Sequence, residues 1–373
     1  MWISRAILLV SGLFSGISAL SQVANTSEMD TAFGIHINKL VIGIYLDTYY
    51  GYDFDEPTNS DIPYVVCSSR HNEANVNLAM LEFQYHSDRL RACIAPGFGT
   101  YVQANNSSEP VGLRNLIEAH AGIKLLRKKE VWLDFGVLGS PYSSESPFSK
   151  DQLMYTRSLA TEFVPYYLTG AKLGFPMGKG LSAHIYILNG WQQMMDLNSS
   201  KSIGTQLEWR PGEKSLFNWN TFIGDERSSM RPFDRMRYFT DFYWIFNPEG
   251  KFSITSCAYI GLQQTVDPLS PKKFLPWYTA NFIARASFNK MVSLSGRFEF
   301  FDDPYDVMVT PINPVGEFLD YSAGLCLNVR LFDHALWRFE GRHFFSRSDL
   351  YIDKNGNPFN QMPWVVSSVT MWF

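Results

Sequence analysis

The sequence predicts an all-β fold: a transmembrane antiparallel up-and-down β-barrel of about sixteen strands, with short periplasmic turns and long extracellular loops. Three observations predict it. Apolar and polar residues alternate with period two, again and again, in segments of about ten residues. The breaks between these segments are alternately short and long. Beyond the N-terminal segment no run of about eighteen apolar residues occurs, so a membrane-embedded chain would cross as strands and not as helices.

Along the chain, "MWISRAILLVSGLFSGISALSQ" comes first, with Arg5, an apolar run from Ala6 to Leu20 and small residues before Gln22. This is the pattern of a secretory signal peptide cut between Ser21 and Gln22. The expected organisation is a signal peptide over 1–21, a short segment over 22–39 and an outer-membrane barrel over 40–373. The segment 22–39 holds too few residues for a plug domain, so energised uptake is not expected.

The barrel strands are defined by their breaks. Short turns are expected at 86–89, 127–130, 176–180, 211–214, 247–250, 289–290 and 333–334, and long polar or proline-rich loops at 55–72, 104–114, 140–163, 192–200, 225–234, 266–273, 302–317 and 346–362. Seven short turns and eight long loops need sixteen strands, and a misread boundary would make fourteen or eighteen. The faces are clear in "KMVSLSGRFEF", where Val292, Leu294, Phe298 and Phe300 oppose Ser293, Ser295, Arg297 and Glu299. They are equally clear in "SAGLCLNVRL", where Ala323, Leu325, Leu327, Val329 and Leu331 oppose Ser322, Gly324, Cys326, Asn328 and Arg330. A soluble sandwich also alternates, but here the apolar face is aromatic towards the strand ends. Tyr49, Tyr50, Tyr52, Trp244, Trp277, Trp364 and Trp372 are expected in the girdles at the two bilayer interfaces. The closing "WVVSSVTMWF" must pair with the first strand, because an open edge in lipid would leave backbone groups unsatisfied. Its terminal Phe373 is expected to be the assembly signal read by the barrel-assembly machinery.

Composition narrows the function. The aromatic share is 16%, yet the mean hydropathy is only -0.13, which is the mark of alternation. The net charge is -4 with Lys and Arg scattered singly, so no nucleic-acid partner is expected. Cys67, Cys93, Cys257 and Cys326 lie far apart without C-x-x-C pairing; neither a disulfide framework, a metal site nor a cofactor is expected from them. No G-x-S-x-G motif occurs and the seven histidines, among them His120, His184 and His343, stand in no sequence context of a nucleophile motif, so the chain is not expected to be an enzyme. The carboxylates of "FDDPYD" match no calcium-loop spacing and are expected to form a solvated turn.

Several stretches point further. "YYGYDFDEPTN", "SSRHNEANVNLAMLEF", "NLIEAHAGIKL", "VWLDFGVLGSP", "YTRSLATEFVPYYLTGAKL", "ILNGWQ", "GTQLEWRP", "WNTFIGDE" and "FEFFDDP" together resemble the OmpL-like beta-barrel porin family, a porin type of the Bacteroidota outer membrane. The resemblance runs from Tyr49 to Phe373 and implies an outer-membrane porin without defining a solute.

In such a barrel the inward residues select what passes. Arg285, Arg297, Arg330, Arg338 and Arg342 fall on the polar face of four consecutive strands against only Glu299 and Glu340, so one lumen wall is expected to be basic and pore-lining. The longest loop, 140–163, carries Glu145, Asp151 and Glu162 and is the candidate constriction loop. The expected function is passive diffusion of small hydrophilic solutes with a mild anion preference, in a homotrimer or a monomer. A non-conducting barrel that serves adhesion or anchors a complex is the alternative, and an outer-membrane enzyme a second one.

Overall fold

The computed structural model describes residues 34–270, 272–313 and 317–373. The segment read as a signal peptide lies outside the described residues.

Sixteen antiparallel strands close into one barrel: β1 Leu40–Asp53, β2 Glu73–His86, β3 Leu90–Phe98, β4 Leu116–Lys124, β5 Trp132–Gly139, β6 Tyr167–Gly178, β7 Leu181–Leu188, β8 Ser202–Gly212, β9 Ser215–Asp225, β10 Asp234–Phe246, β11 Phe252–Thr265, β12 Phe274–Ser287, β13 Val292–Asp303, β14 Phe318–Phe332, β15 Ala335–Ser346 and β16 Gln361–Trp372. Each pairs with its neighbours in sequence, and β16 closes on β1 from Trp364 opposite Asp53 to Trp372 opposite Tyr45. A three-residue strand, Ile35–Ile37, folds back on β1. No helix among the described residues is long and apolar enough to cross a membrane.

The turns explain the polarity of the barrel. At the β6–β7 turn, Lys179 (φ 54) and Gly180 (φ 73) are both left-handed, as a two-residue hairpin turn that follows strand twist requires. A side chain on Gly180 would collide with the Arg210 carbonyl of β8. All seven short turns lie at the same end as the start of β1 and the finish of β16, the periplasmic end in barrels of this kind.

The outer face is apolar, with Leu294, Phe298 and Leu325 exposed. Two aromatic rows mark the interfaces. Trp209, Phe217 and Trp244 stack at the periplasmic end with centroids 5.4 and 5.9 Å apart. Phe300, Tyr321 and Phe345 form a row at the other end, 6.3 and 5.6 Å apart.

The girdle expectation needs a correction for three residues. Tyr49, Trp277 and Trp364 are buried and point inward. The Tyr49 hydroxyl meets Thr100 Oγ1 at 3.1 Å, Trp277 lies under the Arg237 guanidinium at 5.5 Å, and Trp364 stacks 6.4 Å from Phe344. The physical reason is that this interior is packed, so large rings are needed inside the wall as well as on it. The four cysteines are buried free thiols. Asp303 of "FDDPYD" is also buried and not solvated: its carboxylate accepts the backbone N–H groups of Val307, Met308 and Val309 at 2.7–3.0 Å.

Candidate functional site

The β5–β6 loop, residues 140–166, turns into the barrel. Its contacts fix this, because it bonds inward side chains from strands on opposite sides of the chain's closure: Asp241 at Ser143, Tyr45 and Thr370 at Ser149, and Glu340, Asn281 and Glu299 at Tyr155, Ser158 and Leu159. A short helix, α1 (Thr100–Asn105), from the β3–β4 loop packs Tyr101 and Val102 inward beside it. The inserted segment contains a second short helix, α2 (Leu159–Glu162), whose following Phe163 lies 4.2 Å from Phe301 of β13.

The C-terminal wall holds this segment by its backbone. On β13 and β15, Arg297, Glu299, Glu340 and Arg342 form one buried ion-pair network: Arg297 to Glu299 at 3.0 Å, Arg297 to Glu340 at 3.0 Å and Arg342 to Glu299 at 2.5 Å. The remaining valences go to the segment. Glu340 Oε2 accepts the Tyr155 and Thr156 N–H groups at 2.8 and 2.9 Å, and Glu299 Oε2 accepts that of Leu159 at 2.7 Å. Arg297 donates to the Thr156 carbonyl at 2.8 Å and Arg342 to the Arg157 carbonyl at 2.9 Å. Arg338 donates to the carbonyls of Ser149, Gln152 and Met154 at 2.5, 2.9 and 3.2 Å. Charged partners make these bonds roughly twice as strong as neutral ones, and burial removes water as a competitor. All five wall residues are at most 4% exposed.

The segment's own acids do not face this wall across water. Glu145 accepts the Ser158 N–H at 2.7 Å and the Thr161 hydroxyl at 3.1 Å, inside the segment itself. Asp151 pairs with its neighbour Lys150 at 2.7 Å. Glu162 accepts the Val66 N–H of the β1–β2 loop at 2.8 Å, and burial pushes its carboxyl up to about 7 against the pull of that bond and of Arg157. The wall arginines meet the backbone of the candidate constriction loop in direct contact, not its acids. The reason is that arginine can be satisfied by backbone carbonyls as well as by carboxylates, and a loop backbone offers many of these.

Arg285 and Arg330 lie apart from that network, near the periplasmic mouth. They line a cavity of about 700 Å³ with Lys150, Lys251, Lys290 and Arg338, against Glu249 and Asp333. Arg285 donates to the Pro248 carbonyl and to Ser253 Oγ, the latter at 3.2 Å, and Arg330 to the Asp333 carbonyl at 3.4 Å. Among the described residues none of Arg285, Arg330, Lys251 or Lys290 has a carboxylate within ion-pair distance. Lys251 and Lys290 sit in or beside periplasmic turns and are not on the inward strand faces, which is why a face-by-face reading passes over them.

At the seam, the Phe373 N–H and C=O both bond Ile44 at 2.9 Å, so the closing residue completes the ladder between the last strand and the first.

The family profile described as "Putative beta-barrel porin-2, OmpL-like" matches residues 39–371. No curated protein matches the chain in sequence. Among solved structures, the outer-membrane channel DcaP of Acinetobacter baumannii is similar with a TM-score of 0.61 at 8% identity, over 91% of this chain and 99% of that one. The trimer form of OmpT, an outer-membrane protein of Vibrio cholerae, gives 0.57 at 8% identity, over 90% and 99%. The anion-selective porin of Comamonas acidovorans gives 0.55 at 8% identity, over 90% and 99%. At such identities the likeness concerns the fold.

Proposed function

Because the chain belongs to the OmpL-like beta-barrel porin family and is a barrel of the Gram-negative outer membrane, we propose that it is a porin for small hydrophilic solutes with a mild preference for anions. The cation-rich cavity at the periplasmic mouth carries this reading. Arg285 and Arg330 there, together with Lys251 and Lys290, raise the local potential where a solute leaves the lumen. In this reading Arg285 and Arg330 are the arginines that act on solutes, while Arg297, Arg338 and Arg342, with Glu299 and Glu340, hold the inserted segment that narrows the lumen. Glu145, Asp151 and Glu162 shape that segment.

The test is a planar bilayer under a salt gradient. An anion-selective reversal potential supports the reading; a cation-selective one, or no conductance, overturns it. The depth at which the inserted segment is buried favours one second reading, a non-conducting barrel with an anchoring or adhesive role, and the same measurement separates the two. The chain is read as a channel and not an enzyme, and hydrolase turnover by the purified protein in micelles would speak against that.

Three further assignments accompany the proposal. Residues 1–21 are a signal peptide, so the mature chain should begin at Gln22 by mass spectrometry. Phe373 is a contact for the barrel-assembly machinery, and the phenylalanine ring, 53% exposed, is available to it. The assembly is a homotrimer, the form in which the similar OmpT of Vibrio cholerae also occurs, and light scattering of the detergent-extracted protein checks it.

A further inference from the structure

On the wall formed by β2, β3 and β4, a second group of ionisable side chains points inward, outside the network that holds the inserted segment. Glu118 and His120 are two residues apart on β4, so strand geometry puts both on the lumen face. Cys93 on β3 stands directly opposite His120 in the ladder, and the next strand brings Gln84 opposite Cys93. Glu82, one inward position along β2, places Oε1 3.6 Å from Cys93 Sγ and accepts a bond from Gln84 Nε2 at 2.8 Å.

The donors converge. The thiol, a Glu118 oxygen and a His120 ring nitrogen lie within 4.8 Å of one another. His120 Nε2 is 3.2 Å from Glu118 Oε2, while Nδ1 is buried without a hydrogen-bond partner. Cys93, Glu118 and Glu82 are 8%, 3% and 1% exposed, and the His120 side chain 11%. A tetrahedral zinc ion with its usual bond lengths needs donors roughly 3.4–3.6 Å apart. Two of the spacings here, 3.2 and 3.6 Å, are already close to that.

We propose that Cys93, Glu118 and His120, with Glu82 as the adjacent fourth donor, form a site for a divalent metal ion of the zinc class in the lumen wall. Sulfur, imidazole and carboxylate together suit zinc and its cobalt analogue, and disfavour calcium or magnesium, which take oxygen ligands. The ion brings positive charge to a buried group of two carboxylates and a thiol. On binding, the Cys93 proton, now donated to Glu82, is released to solvent as the sulfur becomes a thiolate ligand. Gln84, bonded to Glu82, orients the outer carboxylate. The lumen supplies the path of entry, and a bound ion cross-links three neighbouring staves.

The probe is cobalt(II) added to the folded full-length protein in detergent, with zinc as competitor. The wild type is expected to show a thiolate-to-cobalt charge-transfer band in the near ultraviolet, which zinc removes. Cys93→Ser abolishes the band, and His120→Gln weakens zinc on the order of tenfold or more. Cys326→Ser removes a buried lumen thiol on another wall and leaves the band in place. Heat-modifiable migration on gels reports that each variant is folded; if Cys93→Ser is not, His120→Gln and Glu118→Gln carry the test. Absence of the band in folded wild type, its survival in Cys93→Ser, or unchanged zinc affinity in the His120 and Glu118 variants would overturn the proposal.

Discussion

The two basic regions of the C-terminal half draw on the same residue type, on alternate strands of one wall, but are built for opposite purposes. Arg297 and Arg342 stand at mid-wall and Arg338 nearer the periplasmic end of its strand, all three buried; carboxylates and loop carbonyls hold the first two, and loop carbonyls alone hold Arg338. Arg285 and Arg330 stand at the periplasmic mouth, without carboxylate partners among the described residues, over an open cavity. A charge that is fully neutralised at contact distance projects little field and mostly fixes geometry, whereas a charge facing water at a constricted mouth acts on whatever passes. Counting arginines on the inward face therefore overstates the charge a solute meets.

Removing a member of the sealed region should have the largest effect. Glu340→Ala removes one of the two carboxylates that pair with Arg297, leaving Glu299 to balance both Arg297 and Arg342, and takes the acceptor from the Tyr155 and Thr156 amides. Breaking a buried ion-pair network by removing one partner costs about 3 kcal/mol, enough to release the inserted segment. The expected outcome is proteolytic cleavage within 140–166 and a rise in single-channel conductance. A variant with the segment still protected would mean that the apolar packing of Met154, Leu159 and Phe163 suffices to hold it.

Next is Arg338→Met, which preserves most of the apolar stem but leaves three buried carbonyls without their donor. We expect a loss of about 2 kcal/mol in segment docking, seen as faster cleavage than in wild type but slower than in Glu340→Ala. The order of the two variants is the content of this prediction, and equal cleavage rates would contradict it.

The smallest effect concerns Glu162. Its carboxyl, pushed up by burial to about 7 from an ordinary value of 4.5, holds a proton in the folded protein that the freed segment has lost. Docking is therefore strongest below about pH 4.5, weakens as pH rises towards 7 and is flat above. Glu162→Gln should remove that slope while keeping the neutral-state contact to the Val66 amide. Protease protection of the segment measured across this range checks it.

Much of this architecture is legible in the sequence. Turn residues such as those at 179–180 and 333–334 punctuate the chain so regularly that strand number and polarity follow from them, and the period-two pattern by itself assigns Arg297 and Glu299 to the lumen. What strand patterns do not carry is which groups meet across the barrel. The bonds from Glu340 to residues 155 and 156 join positions about half the chain apart, and no local signal encodes them. Trp277 and Trp364 defeat a pattern reading because a girdle and a packed lumen both place large rings towards strand ends, and the period-two signal is blurred where strands run into loops. The Cys93, Glu118 and His120 group escapes a spacing search because its ligands come from different strands, where register and not sequence distance brings them together. The available signal is weak: a Glu-x-His pair on an inward face with a cysteine on the preceding strand.

The comparison between sealed and open arginines is tested most directly by ion selectivity. We predict an anion-selective reversal potential for the wild type in a salt gradient. It should fall towards zero in the double variant Arg285→Ser and Arg330→Ser; the exposed Arg330 is lost at a stability cost within about 0.5 kcal/mol, and the half-buried Arg285, bonded to the Pro248 carbonyl and Ser253 Oγ, at about 1 kcal/mol. A cation-selective wild type, or a double variant with unchanged selectivity, would contradict the assignment of the mouth cations as the residues that solutes meet.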